Sequence, residues 1–416
     1  MGSYVAAPPA HRAQEDRHGN EPLTNGQGHG SRAPAFSFVC LGVGGGPLET
    51  NCSGYLMKPA DQPWSAGTTL VEAGSWLGSL VELLRDPATS PLHDADFPPG
   101  LSPEAQAEHV NAWVNQALIS HGHLDHIFGL VLASTAQRVQ RPVYGLQDTL
   151  DTILSVFNGR VWPKLASYDQ QDPMAFYHLR PMELEKKYKL SDVLSVTPYP
   201  VSHGMSLLAH DTAGFRPIIA PNPTPCSFHS GHISSTVSTA FLFTHTVLDC
   251  DVLFMGDVEP DAVGGSQRNQ AMWQAIAPRV AQGKLRAIFI ECSFGSDQPN
   301  EYLFGHLTPR HLYDELRALE DAGNAVLGDI EAGQCLAGMK CVVIHVKDMM
   351  LPSSSTPPCR LPANTAPEAI AAHAGAPKLL PVDLRAQIQN ELAVLEEKYG
   401  LGVEFHVARR GDRIEC

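Results

Sequence analysis

Ser120-His121-Gly122-His123-Leu124-Asp125-His126 is the stretch that decides the fold, because three histidines and an aspartate lie within six positions. On an extended segment, residues two apart face the same side, so His121 and His123 are predicted to bind one metal ion. The turn that follows is expected to present Asp125 and His126 to a second ion. Imidazole and carboxylate ligands suit a borderline divalent ion such as zinc, and the absence of thiolates argues against a closed structural site.

The segments around this cluster alternate between strand and helix patterns. Ala117–Ser120 is predicted as a short strand and Phe128–Gln137 as a helix, which puts the cluster on a strand-to-helix loop. Further helices are predicted over Pro103–Trp113, Pro309–Asp321 and Asp383–Tyr399. Other apolar strands end in or just before polar residues: Ser195–Tyr199, Thr239–Phe243, Val252–Met255, Arg286–Ile290 and Cys341–Ile344.

Polar residues near these strand ends are candidates to complete the metal site. His203, Asp257 and His345 lie at or near the ends of strands, and His306 lies just before a helix. Asp257 is the best candidate for a bridging ligand, since a carboxylate can bind two cations at once. The candidates that compete with His203 lie in or beside a Gly/Ser-rich segment, where exposure explains them better: His229 and His232.

Length and composition limit the class of protein. A chain of 416 residues could hold two or three domains or one large domain. Residues 1–34 lack apolar periodicity and are predicted to be a disordered tail, whereas 35–416 are predicted to form one domain with loop insertions near 220–231 and 351–377.

Charge and apolar content argue against several partners. A net charge of −15 disfavours a broad nucleic-acid surface, because binding to phosphates needs clustered Lys and Arg. No apolar run is long enough for a membrane span, so a membrane partner is not expected. The nine cysteines include no Cys-x-x-Cys pair and are interpreted as reduced thiols. We therefore expect a cytoplasmic protein.

The longer run from His121 to Ser134, His-Gly-His-Leu-Asp-His-Ile-Phe-Gly-Leu-Val-Leu-Ala-Ser, resembles the signature of class II 3′,5′-cyclic-AMP phosphodiesterases in the metallo-β-lactamase superfamily. The signature expects Ala or Pro at the next position, where this chain has Thr135, but that position lies beyond the metal cluster. Further matches are Gly305–Pro309, Glu291–Phe294, Ile344–Lys347, Asn158 and Trp162-Pro163.

This resemblance implies a fold and a set of metal ligands. The expected fold class is α/β, an αββα sandwich of two mixed β-sheets flanked by helices. The expected cofactors are two divalent metal ions, with zinc favoured. One ion would be bound by His121, His123 and His203, and the other by Asp125, His126 and His345, with Asp257 bridging them.

The resemblance also implies a reaction. A hydroxide shared by two ions would attack the phosphorus of 3′,5′-cyclic AMP, or of cyclic GMP, and give the 5′-monophosphate. The expected catalytic residues are Asp125, His306 beside the leaving group, and Glu291, which would orient His306. Whether His306 or His345 completes the second metal site stays open.

Other features of the expected activity are less specific. Phe128, Asn158, Trp162 and the turn at 44–46 are candidate substrate contacts, although packing or chain reversal explains each equally well. The expected partner is a small cyclic nucleotide, and a homodimer is compatible with the sequence. The alternatives are another hydrolase of the superfamily, such as a tRNA 3′-end endonuclease or a thioesterase, and a non-catalytic metal-stabilised scaffold.

Overall fold

The computed structural model describes residues 33–207, 233–328, 334–347 and 383–416. The tail predicted over 1–34 and the insertions predicted near 220–231 and 351–377 lie outside these ranges, apart from residues 33 and 34. His229 and His232 also lie outside the described residues.

The described strands form two sheets, the first with eight strands and the second with seven. The strands of the first sheet are β1 (Phe36–Gly42), β2 (Gly54–Pro59), β3 (Thr68–Ala73), β4 (Val114–Leu118), β5 (Arg141–Gly145), β6 (Ala166–Ser167), β7 (Tyr177–Pro181) and β15 (Arg413–Glu415). The strands of the second sheet are β8 (Tyr188–Lys189), β9 (Leu194–Leu207), β10 (Ile233–His245), β11 (Cys250–Met255), β12 (Leu285–Glu291), β13 (Lys340–Ile344) and β14 (Glu404–Val407).

Both sheets are mixed. The first has the order β15-β1-β2-β3-β4-β5-β7-β6, with antiparallel pairs from β15 to β3 and parallel pairs from β3 to β6. The second has the order β14-β13-β12-β11-β10-β9-β8, in which β11 to β14 are parallel and the other pairs are antiparallel. Neighbouring parallel strands end at the same edge of a sheet, so the residues that follow β11, β12 and β13 emerge together.

The helices lie on the outer faces of the two sheets. Their bounds are α1 (Leu77–Leu84), α2 (Pro103–Trp113), α3 (Leu124–Ala133), α4 (Gln147–Val156), α5 (Asp261–Gly264), α6 (Arg268–Ala281), α7 (Pro309–Leu327) and α8 (Leu384–Tyr399). One apolar cluster joins α1 to α4 with the first sheet, and another joins α6, α7 and α8 with the second sheet.

A third apolar cluster lies between the sheets. Phe38 of β1 and Phe289 of β12 are in contact there, with tilted rings whose centroids are 4.4 Å apart. Phe289 faces this inner cluster, whereas its neighbours Ile288 and Ile290 face the helices. Because both faces of β12 are buried, its sequence is a continuous apolar run from Ala287 to Ile290. The predicted αββα sandwich of two mixed sheets is confirmed.

Most predicted elements match the structure, but the helix after the histidine cluster begins earlier than expected. The prediction of a helix over Phe128–Gln137 is wrong at both ends, because α3 runs over Leu124–Ala133 and a short 3-10 turn follows it. A carboxylate is favourable in the first turn of a helix, where Asp125 lies, because it faces the positive end of the helix dipole. Asp125 and His126 are therefore fixed on a helix and do not belong to a loop.

Three further helices can be compared with their predicted bounds. The helix predicted over Asp383–Tyr399 is α8, with Asp383 as its N-cap. The helix over Pro103–Trp113 is confirmed, with Ser102 as its N-cap. The helix predicted over Pro309–Asp321 continues to Leu327. Among the described residues, no helix is long and apolar enough to cross a membrane.

Candidate metal centre

Asp257 lies at the centre of the site, two residues after β11. A Cβ atom on the preceding residue, Gly256, would collide with Ser120 and with the hydroxyl of Ser238. Glycine therefore allows β11 to end close to the segment that carries the histidine cluster. The Asp257 side chain is only 3% exposed.

The two oxygens of Asp257 face different histidines. Its Oδ1 lies 3.1 Å from His126 Nε2 and 3.2 Å from His345 Nε2. Its Oδ2 lies 3.7 Å from His121 Nε2 and 3.6 Å from His203 Nε2. The carboxylate is thus placed between two groups of imidazoles.

The first group contains His121, His123 and His203. His123 Nδ1 and His203 Nε2 are 3.1 Å apart. The Nδ1 atoms of His121 and His203 have partners outside this group of histidines. His121 Nδ1 lies 3.0 Å from Ser120 Oγ, and His203 Nδ1 donates to the Gly305 carbonyl at 2.9 Å. The buried His121 Nε2 has no hydrogen-bond partner within the described part of the chain.

The second group contains Asp125, His126 and His345. His126 Nε2 lies 3.3 Å from His345 Nε2, which is also 3.2 Å from Asp125 Oδ2. His126 Nδ1 donates to Glu72 Oε2 at 3.1 Å, and His345 Nδ1 lies 3.1 Å from Ser293 Oγ. These outer contacts fix both rings so that their Nε2 atoms face Asp257.

Both groups fit a bound metal. Within each, together with Asp257, the ligand atoms all lie within 4.8 Å of one another. A tetrahedral ion with bonds of about 2.0–2.1 Å to nitrogen keeps its ligand atoms roughly 3.3 Å apart. The nitrogen–nitrogen distances of 3.1 Å between His123 and His203 and 3.3 Å between His126 and His345 agree with that spacing. The buried Nε2 of His121 has no partner within the described part of the chain, so it needs a cation or a proton donor at the position that the first ion would occupy.

Glu291 ends β12 and accepts hydrogen bonds through both of its oxygens. Its Oε1 accepts from His306 Nδ1 and from the backbone amide of Val258, each at 2.8 Å. Its Oε2 accepts from the Ser293 hydroxyl at 2.7 Å and the Leu307 amide at 3.3 Å. Glu291 also lies close enough to His306, His203 and Asp257 to share an ion with them. Because protein donors occupy both oxygens, however, Glu291 is a poor metal ligand here.

The protonation states of the site suit metal ligation. Burial opposes ionisation of Asp257, but His345 and His126 hold its pKa well below the usual range. Burial lowers the pKa of His203 and of His306 to about 4, so both rings are neutral at pH 7. Metal ions bind anionic carboxylates and neutral imidazoles, which are the forms favoured for Asp257 and His203. Burial opposes a charge on His126, but the carboxylates around it raise its pKa well above the usual range, so a bound metal would replace a proton on that ring.

Several side chains that hold the site in place escaped the sequence analysis, notably Glu72 and Ser293. Glu72 is buried near the end of β3, and its Oε1 accepts from the backbone amide of Ser120 at 3.0 Å. Its backbone φ of 57° is unusual for a residue with a side chain, and such backbone conformations concentrate at functional sites. The sequence signal that could have identified Glu72 is a carboxylate at the end of an apolar strand.

The predicted substrate contacts differ in how accessible they are. Phe128 lies on α3, three residues after Asp125, and is 40% exposed. Asn158 Oδ1 accepts from two backbone amides of its own loop at 2.7 and 2.9 Å. Trp162 Nε1 donates to Ser134 Oγ at 2.8 Å. The Phe128 ring is therefore accessible, whereas the polar groups of Asn158 and Trp162 already have partners within the protein.

Known proteins resemble this chain over most of its length. The family model described as cAMP phosphodiesterases class-II matches residues 41–411. The chain belongs to this family. Its members are hydrolases, so the class II phosphodiesterase resemblance and the prediction of a hydrolytic enzyme are confirmed.

Individual relatives cover most of the chain. A protein of Schizosaccharomyces pombe named 3′,5′-cyclic-nucleotide phosphodiesterase is 30% identical, over 91% of this chain and 92% of that protein. A probable 3′,5′-cyclic-nucleotide phosphodiesterase of Yersinia pestis is 28% identical, over 75% of this chain and 78% of its own length. The crystal structure of unliganded yeast PDE1 matches with a TM-score of 0.69 and 21% identity, over 92% of this chain and 100% of that chain. At that identity the structural match supports the fold alone.

Replacing Glu72 by Gln should weaken metal binding. The amide can still accept from the Ser120 backbone, but the negative charge beside His126 Nδ1 is lost, which makes the ring a poorer ligand. We expect a loss of about 10- to 100-fold in zinc affinity, measured by competition with a chromophoric chelator. Glu82→Gln, at an exposed position of helix α1, is the matched control. Equal zinc affinity in both variants and the wild type would show that Glu72 does not support the site.

Proposed function

We propose that this protein hydrolyses the 3′,5′-phosphodiester of cyclic AMP, and also of cyclic GMP, to the 5′-monophosphate. The observation that carries the proposal is the position of Asp257, whose two oxygens face two separate groups of potential metal ligands. Membership of the class II family and the names of the relatives from S. pombe and Y. pestis support the choice of a cyclic nucleotide.

The proposed cofactors are two zinc ions. His121, His123 and His203 would hold one ion, Asp125, His126 and His345 the other, and Asp257 would bridge them. His345 is preferred to His306 for the second site because its Nε2 lies 3.2 Å from both Asp125 and Asp257. When bound, such ions lower the pKa of water towards neutrality and place positive charge beside the phosphoryl oxygens.

His306 is proposed as the general acid, and Glu291 as the residue that positions it. The Nδ1 proton of His306 is donated to Glu291 Oε1, which leaves Nε2 as the atom that can deliver a proton to the leaving 3′ oxygen. Burial disfavours a positive charge on this ring. The adjacent Glu291 carboxylate would offset that effect when both ring nitrogens carry protons.

The proposed substrate contacts, domain extent, location and oligomeric state have less support from contacts between described residues. Phe128, Asn158 and Trp162 remain proposed substrate contacts, and Phe128 has the best support because its ring is accessible. We also propose that residues 35–416 act as one catalytic domain. A cytoplasmic location and a homodimer stay predictions from the sequence.

The alternative activities have less support. The family model for cyclic AMP phosphodiesterases extends over residues 41–411, which does not favour a tRNA 3′-end endonuclease or a thioesterase. A non-catalytic scaffold would need an incomplete set of ligands, whereas the seven proposed ligands fall into two groups that share Asp257.

Removing the metal should abolish hydrolysis of cyclic AMP. The purified protein, supplied with zinc, is expected to convert cyclic AMP to 5′-AMP, detected by chromatography. Dialysis against a chelator should remove the activity because the proposed attacking hydroxide depends on the ions, and added zinc should restore it. Activity that persists in metal-free protein, or a 3′-monophosphate product, would contradict the proposal.

Replacing His306 by Gln should slow the enzyme in a way that depends on the leaving group. A ribose 3′ oxygen leaves poorly without a proton, so kcat for cyclic AMP should fall by about 10²- to 10⁴-fold. The p-nitrophenolate of bis-p-nitrophenyl phosphate leaves as a stable anion, so hydrolysis of that substrate should change far less.

Two further measurements make the His306 test specific. Zinc content should stay at the wild-type value, since the proposal does not make His306 a ligand. His93→Gln, at a histidine whose side chain is 63% exposed, should leave both rates unchanged. If the rates with both substrates fall equally, or if the variant loses zinc, His306 belongs to the metal site and is not the general acid.

A further inference from the structure

The turn from Leu303 to His306 has an unusual backbone. The His306 amide donates to the Leu303 carbonyl at 3.1 Å, which closes a four-residue turn. Its two central residues, Phe304 and Gly305, have φ values of 53° and 87°. Positive φ at both central positions is the pattern of a type I′ turn, which favours Asn, Asp or Gly at the first of them.

Gly305 is explained by its surroundings. A Cβ atom there would come within 2.7 Å of the Gly204 backbone nitrogen and 2.9 Å of His203 Nδ1. Its carbonyl also accepts the hydrogen bond that holds the His203 ring. The turn therefore has to pass close to His203, and it carries His306 at its end.

Phe304 is not explained in this way. The left-handed region is unfavourable for a bulky residue, and a phenylalanine there normally needs packing to stabilise it. The Phe304 side chain is instead 71% exposed. The aromatic ring recorded against it is Tyr302, which is itself 50% exposed, with the ring centroids 6.3 Å apart. Neither the turn nor the apolar core favours phenylalanine at this position.

We propose that the exposed Phe304 ring is a stacking surface for the base of the cyclic nucleotide. The inference rests on the proposed function, which puts His306 beside the 3′ oxygen of the ribose. The base is attached to the same ribose, so it extends from the reacting phosphate towards the rim of the site. Phe304 lies two residues before His306, and a flat aromatic ring can stack on any base.

The seven proposed metal ligands themselves offer no comparable surface. The inner wall of the site consists of imidazoles and carboxylates that are engaged with one another, and all of them except His123 and Asp125 are buried. A purine needs an apolar face outside that wall. Phe304 supplies one, and Tyr302 widens it.

The test uses two substrates that differ only in the base. One is cyclic AMP, and the other is the 3′,5′-cyclic phosphate of 1-deoxyribose, which keeps the reacting phosphodiester and has no base. Phe304→Asn removes the ring but suits the left-handed backbone better, so its unfolding temperature should equal or exceed that of the wild type. Phe304→Tyr keeps a ring, and Val247→Asn is a control at a residue that is 72% exposed beyond the far end of β11.

Stacking predicts a specific pattern of rates. In Phe304→Asn, KM for cyclic AMP should rise roughly 5- to 100-fold, while kcat and the rate with the base-free substrate stay within about twofold of wild type. Phe304→Tyr should retain wild-type KM, and Val247→Asn should change nothing.

Three results would overturn the inference in distinguishable ways. If wild type hydrolyses both substrates and Phe304→Asn changes both equally or neither, the ring does not contact the base. If sedimentation shows that the variant changes oligomeric state while its KM is unchanged, the ring belongs to a contact between copies. If wild type hydrolyses neither substrate, the proposed function fails as well.

Discussion

The site depends on one buried carboxylate, Asp257, which is held between imidazoles on both sides. A buried negative charge is costly unless cations or hydrogen-bond donors surround it. The histidines cannot all serve as donors to Asp257, because His123 and His203, and likewise His126 and His345, turn ring nitrogens towards each other at 3.1 and 3.3 Å. Positive ions between these nitrogens would satisfy the carboxylate and the rings together.

The fold positions this carboxylate through the edges of its sheets. Strands β11, β12 and β13 are parallel, so Asp257, Glu291 and His345 come from their carboxyl ends at one edge. In the other sheet, β3 and β4 are also parallel, and they lead to Glu72 and to the histidine cluster. The outer nitrogens of four rings then meet fixed partners, and these rings are His121, His126, His203 and His345. Ring orientation is therefore set by residues that themselves are not proposed ligands.

Features of the fold and the site that have a local sequence pattern could be predicted, whereas those that depend on contacts between distant residues could not. The run from His121 to His126 is dense enough to be recognised alone, and Asp257 and His345 followed from their positions after apolar strands. The predicted start of α3 is too late because apolar periodicity begins only after Asp125 and His126. Glu72 was missed because a single acidic residue has many explanations, and its role depends on a contact with His126, 54 positions away. The engagement of Asn158 with its own loop likewise depends on backbone geometry that the sequence does not specify.

The most direct test of the central claim is a crystal structure of the zinc-loaded protein with anomalous diffraction data collected at the zinc edge. Bridging by Asp257 predicts two anomalous peaks about 3.5–4 Å apart, with the Asp257 carboxylate between them. One peak should lie among His121, His123 and His203, and the other beside Asp125, His126 and His345. A single peak, or a second ion bound by His306 in place of His345, would contradict the account.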